Sequence, residues 1–271
     1  MNNKISACII VRNEEKEIER CLNSIVNVVD EIIVVHDGEC EDRTLEISRK
    51  YNAKVFIRGK RENFNSHRIF CLKQARFPWI LRIDADEYLS DELAESIRKL
   101  VLDQNANAYD FSMPLWDDKK RLTKKWPYIR VLFRKDKISF LGILHYAPDV
   151  KSNVKKCDLA VWHRPGYNNY SREIFRTKWL NKAKVHAKIY LQDFSKIEKF
   201  NYKGNDWPIK IKLRVRFPII LMPAEFVITF IKNLSSGGYK EGIIGYKVAL
   251  MYGIYRVMVN YNIFINKNFK K

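Results

Sequence analysis

The chain has 271 residues, 46% apolar and 13% aromatic, with only 10 glycines and 8 prolines, which suits one large or two small globular domains and excludes a disordered or collagen-like chain. Its formal charge of +19 is uneven: residues 1–100 carry 17 basic against 18 acidic side chains, and residues 101–271 carry 33 against 13. A basic half of that size attracts nucleic acid, anionic lipid headgroups or phosphorylated substrates.

Ile5 to Val11 is an apolar run ended by polar residues, the pattern of a strand buried on both faces. It passes straight into Arg12-Asn13-Glu14-Glu15, unlike the apolar region of a signal peptide, so the chain is expected in the cytoplasm. Cys8, Cys21, Cys40, Cys71 and Cys157 form no Cys-x-x-Cys pair, which points to free thiols in a reducing compartment. Asn13 can cap a helix in which Ile18, Cys21, Leu22 and Ile25 make one apolar stripe. A second strand is predicted over Glu31 to Val35, then a polar loop in which Asp42 or Thr44 can cap a helix. Lys54 to Ile57 gives a third strand, roughly Phe64 to Ala75 a helix, and Trp79 to Ile83 a fourth strand. This alternation predicts an α/β fold, an open sheet with right-handed crossovers.

Ligands of such sheets sit at the carboxyl ends of the strands. Asp37 follows the second strand there, and Asp84-Ala85-Asp86 follows the fourth. Carboxylates at alternate positions share a face and can hold a hard divalent cation, with phosphate oxygens and water completing its shell. The same residues also suit a solvated turn ahead of a cap at Ser90 or Asp91.

Ile5-Ser-Ala-Cys-Ile-Ile-Val-Arg-Asn13-Glu14-Glu15, Glu31-Ile-Ile-Val-Val-His-Asp37, Asp42-Arg43-Thr44 and Asp84-Ala-Asp86-Glu87 together resemble family 2 glycosyltransferases of the GT-A fold. Arg130-Val-Leu-Phe-Arg134, Gly142-Ile-Leu-His145 and Gly238-Tyr-Lys-Glu-Gly242-Ile-Ile-Gly245 are similar to the branch that includes lipopolysaccharide-core glucosyltransferases. The resemblance implies a mostly parallel, Rossmann-like sheet flanked by helices in a nucleotide-sugar-binding and catalytic domain over residues 1–165, followed by a basic, mainly helical region over 166–271. It implies that Asp37 accepts from the donor's uracil or ribose and that Asn13, Glu14 and Asp42 also lie on the donor, with Arg68 near the nucleotide. Asp84 and Asp86 would hold Mg²⁺ or Mn²⁺ on the diphosphate, with His163 completing the shell.

An inverting transfer needs a general base on the acceptor hydroxyl. The branch shows His followed by Glu where this chain has His145-Tyr146, so the carboxylate must come from elsewhere. Asp149 is the first choice, Asp117 or Asp118 the next, and the His145 imidazole can itself accept a proton. His36, His67 and His186 have no partner identifiable from sequence.

Ser171 to about Tyr190 is predicted helical. Ile209 to Arg216 alternates apolar and basic residues ahead of Phe217-Pro-Ile-Ile-Leu-Met-Pro223 and Phe226 to Ile231, a run judged too short and too broken by proline to cross a bilayer as one helix. Gly242 to Ile265 is long enough to cross, but Lys247 and Arg256 fall on opposite helix faces. Basic residues beside Trp207, Phe217, Phe226 and Tyr239 suit peripheral contact with an anionic membrane surface, at the inner face of the cytoplasmic membrane.

The leading expectation is a metal-dependent inverting transferase moving a sugar, from UDP on family grounds, to a lipid-linked or cell-envelope glycan or glycolipid in lipopolysaccharide biosynthesis. A non-catalytic membrane- or glycan-binding protein on the same fold is the alternative. A sugar nucleotidyltransferase is disfavoured because no glycine-rich loop follows the first strand. No specific nucleic-acid partner is expected, since no zinc-finger, RNP-like or basic-zipper pattern occurs. The oligomeric state is left open.

Overall fold

The computed structural model describes residues 3–61, 63–117, 119–143, 148–164 and 167–269. Contacts divide the chain into two units that interleave in sequence. The first takes residues 1–114, 128–164 and 198–202, and the second takes 115–127, 165–197 and 203–271. A single cut at 165 therefore misses two exchanges, a loop given to the second unit and a short strand given to the first.

In the first unit, β1 (Ile5–Val11), β2 (Glu31–Asp37), β3 (Lys54–Arg58) and β4 (Trp79–Arg82) are parallel neighbours in the order β3-β2-β1-β4. Every residue of β1 and β2 is buried, which is why β1 is apolar but for Ser6 and the centre of β2, Ile32 to Val35, is wholly apolar. The helices α1 (Ile18–Ile25), α2 (Thr44–Lys50), α3 (Asn65–Gln74) and α4 (Asp91–Leu100) alternate with these strands and with β5 (Glu87–Leu89). Ile18, Cys21, Leu22 and Ile25 of α1 are all buried, as the stripe predicts. Ser90 caps α4 by accepting the Leu93 N–H.

The sheet continues through β7 (Tyr128–Arg134), β6 (Ala108–Ser112) and β10 (Val154–His163) to β5. Three of these later pairings, β4 with β7, β7 with β6 and β10 with β5, are antiparallel. The last sets His163 opposite Glu87. A second sheet holds β11 (Lys199–Phe200), β8 (Ile138–Leu141) and β9 (Asp149–Val150) in that order.

The second unit is helical. Ser171 caps α5 (Arg172–Ile174), a π-helical segment Phe175–Trp179 follows, and α6 (Leu180–Tyr190) completes the predicted helix. Next come α7 (Ile209–Arg216), α8 (Pro218–Ser235) and α9 (Gly242–Asn268). The connection between the last two packs against the start of α9, where a Cβ on Gly245 would sit 1.9 Å from the Gly238 carbonyl oxygen, so only glycine fits.

Three expectations need correction. Asn13 caps no helix: its φ is +53°, and α1 begins after Glu17 without a side-chain cap. Asn13 stands at a left-handed turn that asparagine tolerates. The run from Phe217 to Ile231 is not broken, because α8 is one 18-residue helix, long and apolar enough to cross a membrane. Pro218 occupies a first-turn position that needs no N–H, and Pro223 removes only the bond to the Ile219 carbonyl. Finally, of the basic residues that alternate through Ile209 to Arg216 and are expected at a membrane surface, Arg214 is not exposed with Lys210, Lys212 and Arg216. It is buried, donating to the Tyr190 hydroxyl at 3.1 Å and to Glu225 at 2.5 Å.

Candidate active site

Three loops leave the carboxyl ends of β1, β2 and β4, and polar side chains tie the first two together. The Asp42 carboxylate accepts the Glu15 N–H at 3.0 Å and the Thr44 N–H at 2.9 Å. Thr44 Oγ1 accepts the Glu14 N–H at 2.7 Å. Asn13 accepts the Glu41 N–H at 3.0 Å and donates to the Glu41 carboxylate at 3.1 Å. His36 is buried beneath the same turn, with Nε2 3.2 Å from the Asn13 N–H and Nδ1 2.9 Å from the Gly38 carbonyl. Asn13 and Asp42, expected on the donor, are thus occupied in shaping the loops.

Asp37 ends β2 and is buried. Its Oδ1 accepts the Arg61 N–H at 2.7 Å and lies 2.7 Å from His67 Nε2. Its Oδ2 is buried without a hydrogen-bond partner among the described residues, and the Arg12 guanidinium lies 3.8 Å away. Burial lowers the His67 pKa despite the carboxylate beside it, so the ring is neutral near pH 7. Because Arg58 donates to Nδ1 at 3.3 Å, the ring proton sits on Nε2 and points at Asp37.

Beyond β4, one guanidinium nitrogen of Arg68 donates to both oxygens of Asp84, at 2.8 and 2.7 Å. Arg68 was expected near the nucleotide, and what it touches here is the carboxylate and Asn65 Oδ1. Burial alone would raise the Asp84 pKa, but Arg68 and Arg82 beside it hold it below the usual carboxylate range. Asp86 lies 2.9 Å from His163 Nε2. Burial lowers the His163 pKa and the Asp86 bond raises it; the carboxylate wins, favouring imidazolium.

Two further acids complete the cluster. Burial, with Asp84 and Asp86 adding to it, pushes Glu87 up to about 7, and Glu87 also accepts the Asp84 N–H at 3.0 Å. Burial and the Asp86 charge push Glu14 up to about 7 as well. Crowding and burial of these carboxylates favour the protonated form of Glu14 and Glu87.

Among the described residues no three His, Cys, Asp or Glu side chains converge as a metal cage. The donor set nevertheless fits Mg²⁺ or Mn²⁺ held by one or two carboxylates together with substrate oxygens, since Asp86 and Asp84 are both partly open to solvent. A surface cavity of about 450 Å³, lined in part by Arg76, Phe77, Pro78 and Lys135, lies at the amino end of β4 and includes none of these residues.

Of the expected bases, Asp149 and Asp117 lie among the described residues. Asp149 is exposed on β9, in the second sheet opposite Ser139. His145 and Asp118 lie outside the described residues. Asp117 accepts the Lys119 and Lys120 N–H groups at 2.8 and 2.6 Å, a turn-forming role in the second unit. The motif arginines are also structural: Arg130 holds the Asp110 carboxylate at 2.8 and 3.1 Å, and Arg134 stacks over Trp79.

The model of glycosyl transferase family 2 matches residues 6–179, which include all of these loops. The chain belongs to that family. This family 2 chain is 40% identical over 109 residues to an uncharacterized glycosyltransferase of Rickettsia bellii, covering 40% of this chain and 36% of that one. It is 35% identical over 99 residues to the SPbeta prophage-derived glycosyltransferase SunS of Bacillus subtilis, covering 36% and 23%. The aligned segment therefore spans little more than a third of the Rickettsia relative's length. Similar solved structures include S. aureus TarS, at 16% identity and TM-score 0.43 over 91% of this chain and 55% of that one. Another is glucosyl-3-phosphoglycerate synthase from Mycobacterium tuberculosis in complex with phosphoglyceric acid, at 15% and 0.48 over 76% and 87%. The family 2 chain has the GT-A arrangement: a mostly parallel central sheet flanked by helices, with a helical C-terminal region.

Proposed function

We propose that this chain is an inverting glycosyltransferase that moves a hexose from a UDP-sugar to a lipid-linked or cell-envelope glycan, of the kind built in lipopolysaccharide assembly, at the inner face of the cytoplasmic membrane. The observation that carries the donor half of this reading is Asp37, a buried carboxylate at a strand end whose Oδ1 is saturated and whose Oδ2 accepts no hydrogen bond, with the Arg12 guanidinium 3.8 Å away. An oxygen so placed accepts an N–H or O–H, which a uracil ring or a ribose supplies.

Asp84, Asp86 and His163 would hold Mg²⁺ or Mn²⁺, which supplies Lewis-acid neutralisation of the departing diphosphate. Arg68 keeps Asp84 ionised and fixed in orientation. Glu14 and Glu87 give up their protons when positive charge arrives. The acceptor hydroxyl loses its proton to a base on the acceptor side, for which Asp149 remains first choice ahead of His145 and Asp118. The basic second unit meets the anionic membrane surface, where a lipid-borne acceptor resides.

Calorimetric titration with UDP, with and without Mn²⁺, followed by incubation with a panel of nucleotide sugars, tests the proposal. Mn²⁺-dependent UDP binding with slow hydrolysis of one donor is expected. Binding of GDP or dTDP in place of UDP would overturn the donor assignment, and failure to bind any nucleotide would overturn the enzyme reading.

A further inference from the structure

The helix α8 turns an apolar face to solvent and is apolar around most of its circumference. Its solvent-facing positions include Ile219, Ile220, Ala224, Val227, Ile228 and Ile231, with Ile220 74% and Ile228 64% exposed. No charged residue appears on that face before Lys232. The less exposed side carries polar groups among Leu221, Met222, Phe226 and Phe230: Glu225 is bonded to Arg214, and the Asn233 amide donates to the Thr229 carbonyl. Water therefore meets an apolar side of the helix, which a soluble fold would turn inward. The apolar surface continues onto Leu213 and Phe217 before α8 and onto Ile243, 89% exposed, at the start of α9.

We propose that α8 beds into one leaflet of an anionic bilayer, lying in the membrane plane with its outward face among the acyl chains. This deepens the membrane-surface reading above, and rests on it, by naming the inserting element. Charge placement commits the occupant to lipid headgroups. Lys210 and Arg216 stand at one end, Lys232, Lys240 and Lys247 at the other, all exposed. From Arg216 to Lys232 is 16 residues, about 24 Å of helix at 1.5 Å per residue. An apolar face bounded at both ends by basic residues is the form of a helix anchored at headgroup level.

Packing also sets the orientation. The inner side of α8 lies against α9, where a Cβ on Gly253 would come within 2.8 Å of the Phe226 ring. Lipid can reach only one side of α8, as an in-plane helix requires; α9 is also long and apolar enough to cross, but Lys247 and Arg256 on it oppose the two helices spanning as a pair.

The test uses the full chain, with Cys40 and Cys157 replaced by serine, carrying Ile228→Cys labelled with an environment-sensitive fluorophore. It is mixed with vesicles of phosphatidylglycerol and phosphatidylcholine or of phosphatidylcholine alone. Co-sedimentation at least tenfold stronger with the anionic vesicles is expected, with quenching by lipids spin-labelled near the top of the acyl chain exceeding that by lipids labelled near its end. The triple variant Ile220→Asp, Ile228→Asp, Ile231→Asp should keep its circular dichroism and melting, because these side chains are exposed, yet lose co-sedimentation. Sedimentation without quenching would overturn insertion while leaving surface contact standing. No sedimentation would overturn both. Stronger quenching from the acyl ends would overturn the in-plane orientation. A dimer in lipid-free solution, abolished by the triple variant and with no lipid binding, would put a second copy of the chain in place of the bilayer.

Discussion

His67 Nε2 lies 2.7 Å from Asp37 Oδ1, and neither side chain touches solvent. The imidazole satisfies one carboxylate oxygen, leaving the other as the acceptor at the strand end. Replacing His67 by Phe removes that donor from a buried carboxylate, a loss of about 1–3 kcal/mol. It should weaken UDP binding as well, since Asp37 is then held by the Arg61 N–H alone on that oxygen. The pH dependence has a definite sign. Burial lowers the His67 pKa below its ordinary 6.5, so the unfolded chain binds more protons than the folded one in that range. The His67 contribution is present in full above pH 6.5 and lost as pH falls below it. Melting temperatures of wild type and His67→Phe between pH 5 and 8 should converge toward the acid end; a constant gap would refute the neutral-imidazole assignment.

Glu87 has the opposite dependence. Its folded-state pKa of about 7 exceeds the ordinary 4.5, so the folded chain holds the extra proton and stability is lost as pH rises from 4.5 through 7. Glutamine keeps an acceptor for the Asp84 N–H without the charge. Glu87→Gln should therefore melt like wild type near pH 4.5 and above it at pH 8, with the difference levelling off beyond about 7. A variant less stable than wild type at pH 8 would show that the Glu87 charge is compensated in the fold.

Asp86 and His163 make a third prediction. With the imidazolium favoured by its carboxylate, a divalent cation entering the pair competes with a proton. Mn²⁺-dependent UDP binding should tighten as pH rises from 6 to 8 and weaken at least tenfold in Asp86→Asn. Calorimetry in buffers of different ionisation enthalpy would count the proton released. Full Mn²⁺ dependence in Asp86→Asn would remove this residue from the metal site.

The parallel strands were legible because burial on both faces writes a local signal: Ile5 to Val11 is apolar except for Ser6, and all seven residues are buried. Asp37 and Asp84 followed from strand ends alone. Strands β6 and β7 carried no such signal, since their partly buried, antiparallel pairing mixes Arg130 and Asp110 with apolar residues. The His67–Asp37 pair spans 30 residues, beyond any window of periodicity. One clue was present: the spacing that turns Cys71 inward on α3 also turns His67 inward, one turn earlier. An inward histidine needs a polar partner. The direction of α8 could not be read, because apolar residues occur around most of that helix and only the packing of Phe226 against α9 decides which side is left outside.

Arg214 and Glu225 offer a test confined to the second unit. The pair lies on α7 and α8 with side chains 11% and 20% exposed, and Arg214 also donates to the Tyr190 hydroxyl. Removing one member of a largely buried pair leaves the other charge unmatched, at a cost of about 3 kcal/mol, whereas replacing both with apolar groups of similar volume is often neutral or stabilising. Arg214→Met should accordingly lower the urea midpoint sharply, while Arg214→Met combined with Glu225→Leu should recover most of the loss. The coupling would then reflect a penalty for stranded charge, with little net attraction in the pair. If the double variant is as unstable as the single one, the cost lies instead in the lost Tyr190 bond and in guanidinium packing over that ring, which stands 5.4 Å from its centroid. Tyr190→Phe separates these causes, because it removes the hydroxyl acceptor and keeps the ring beneath Arg214.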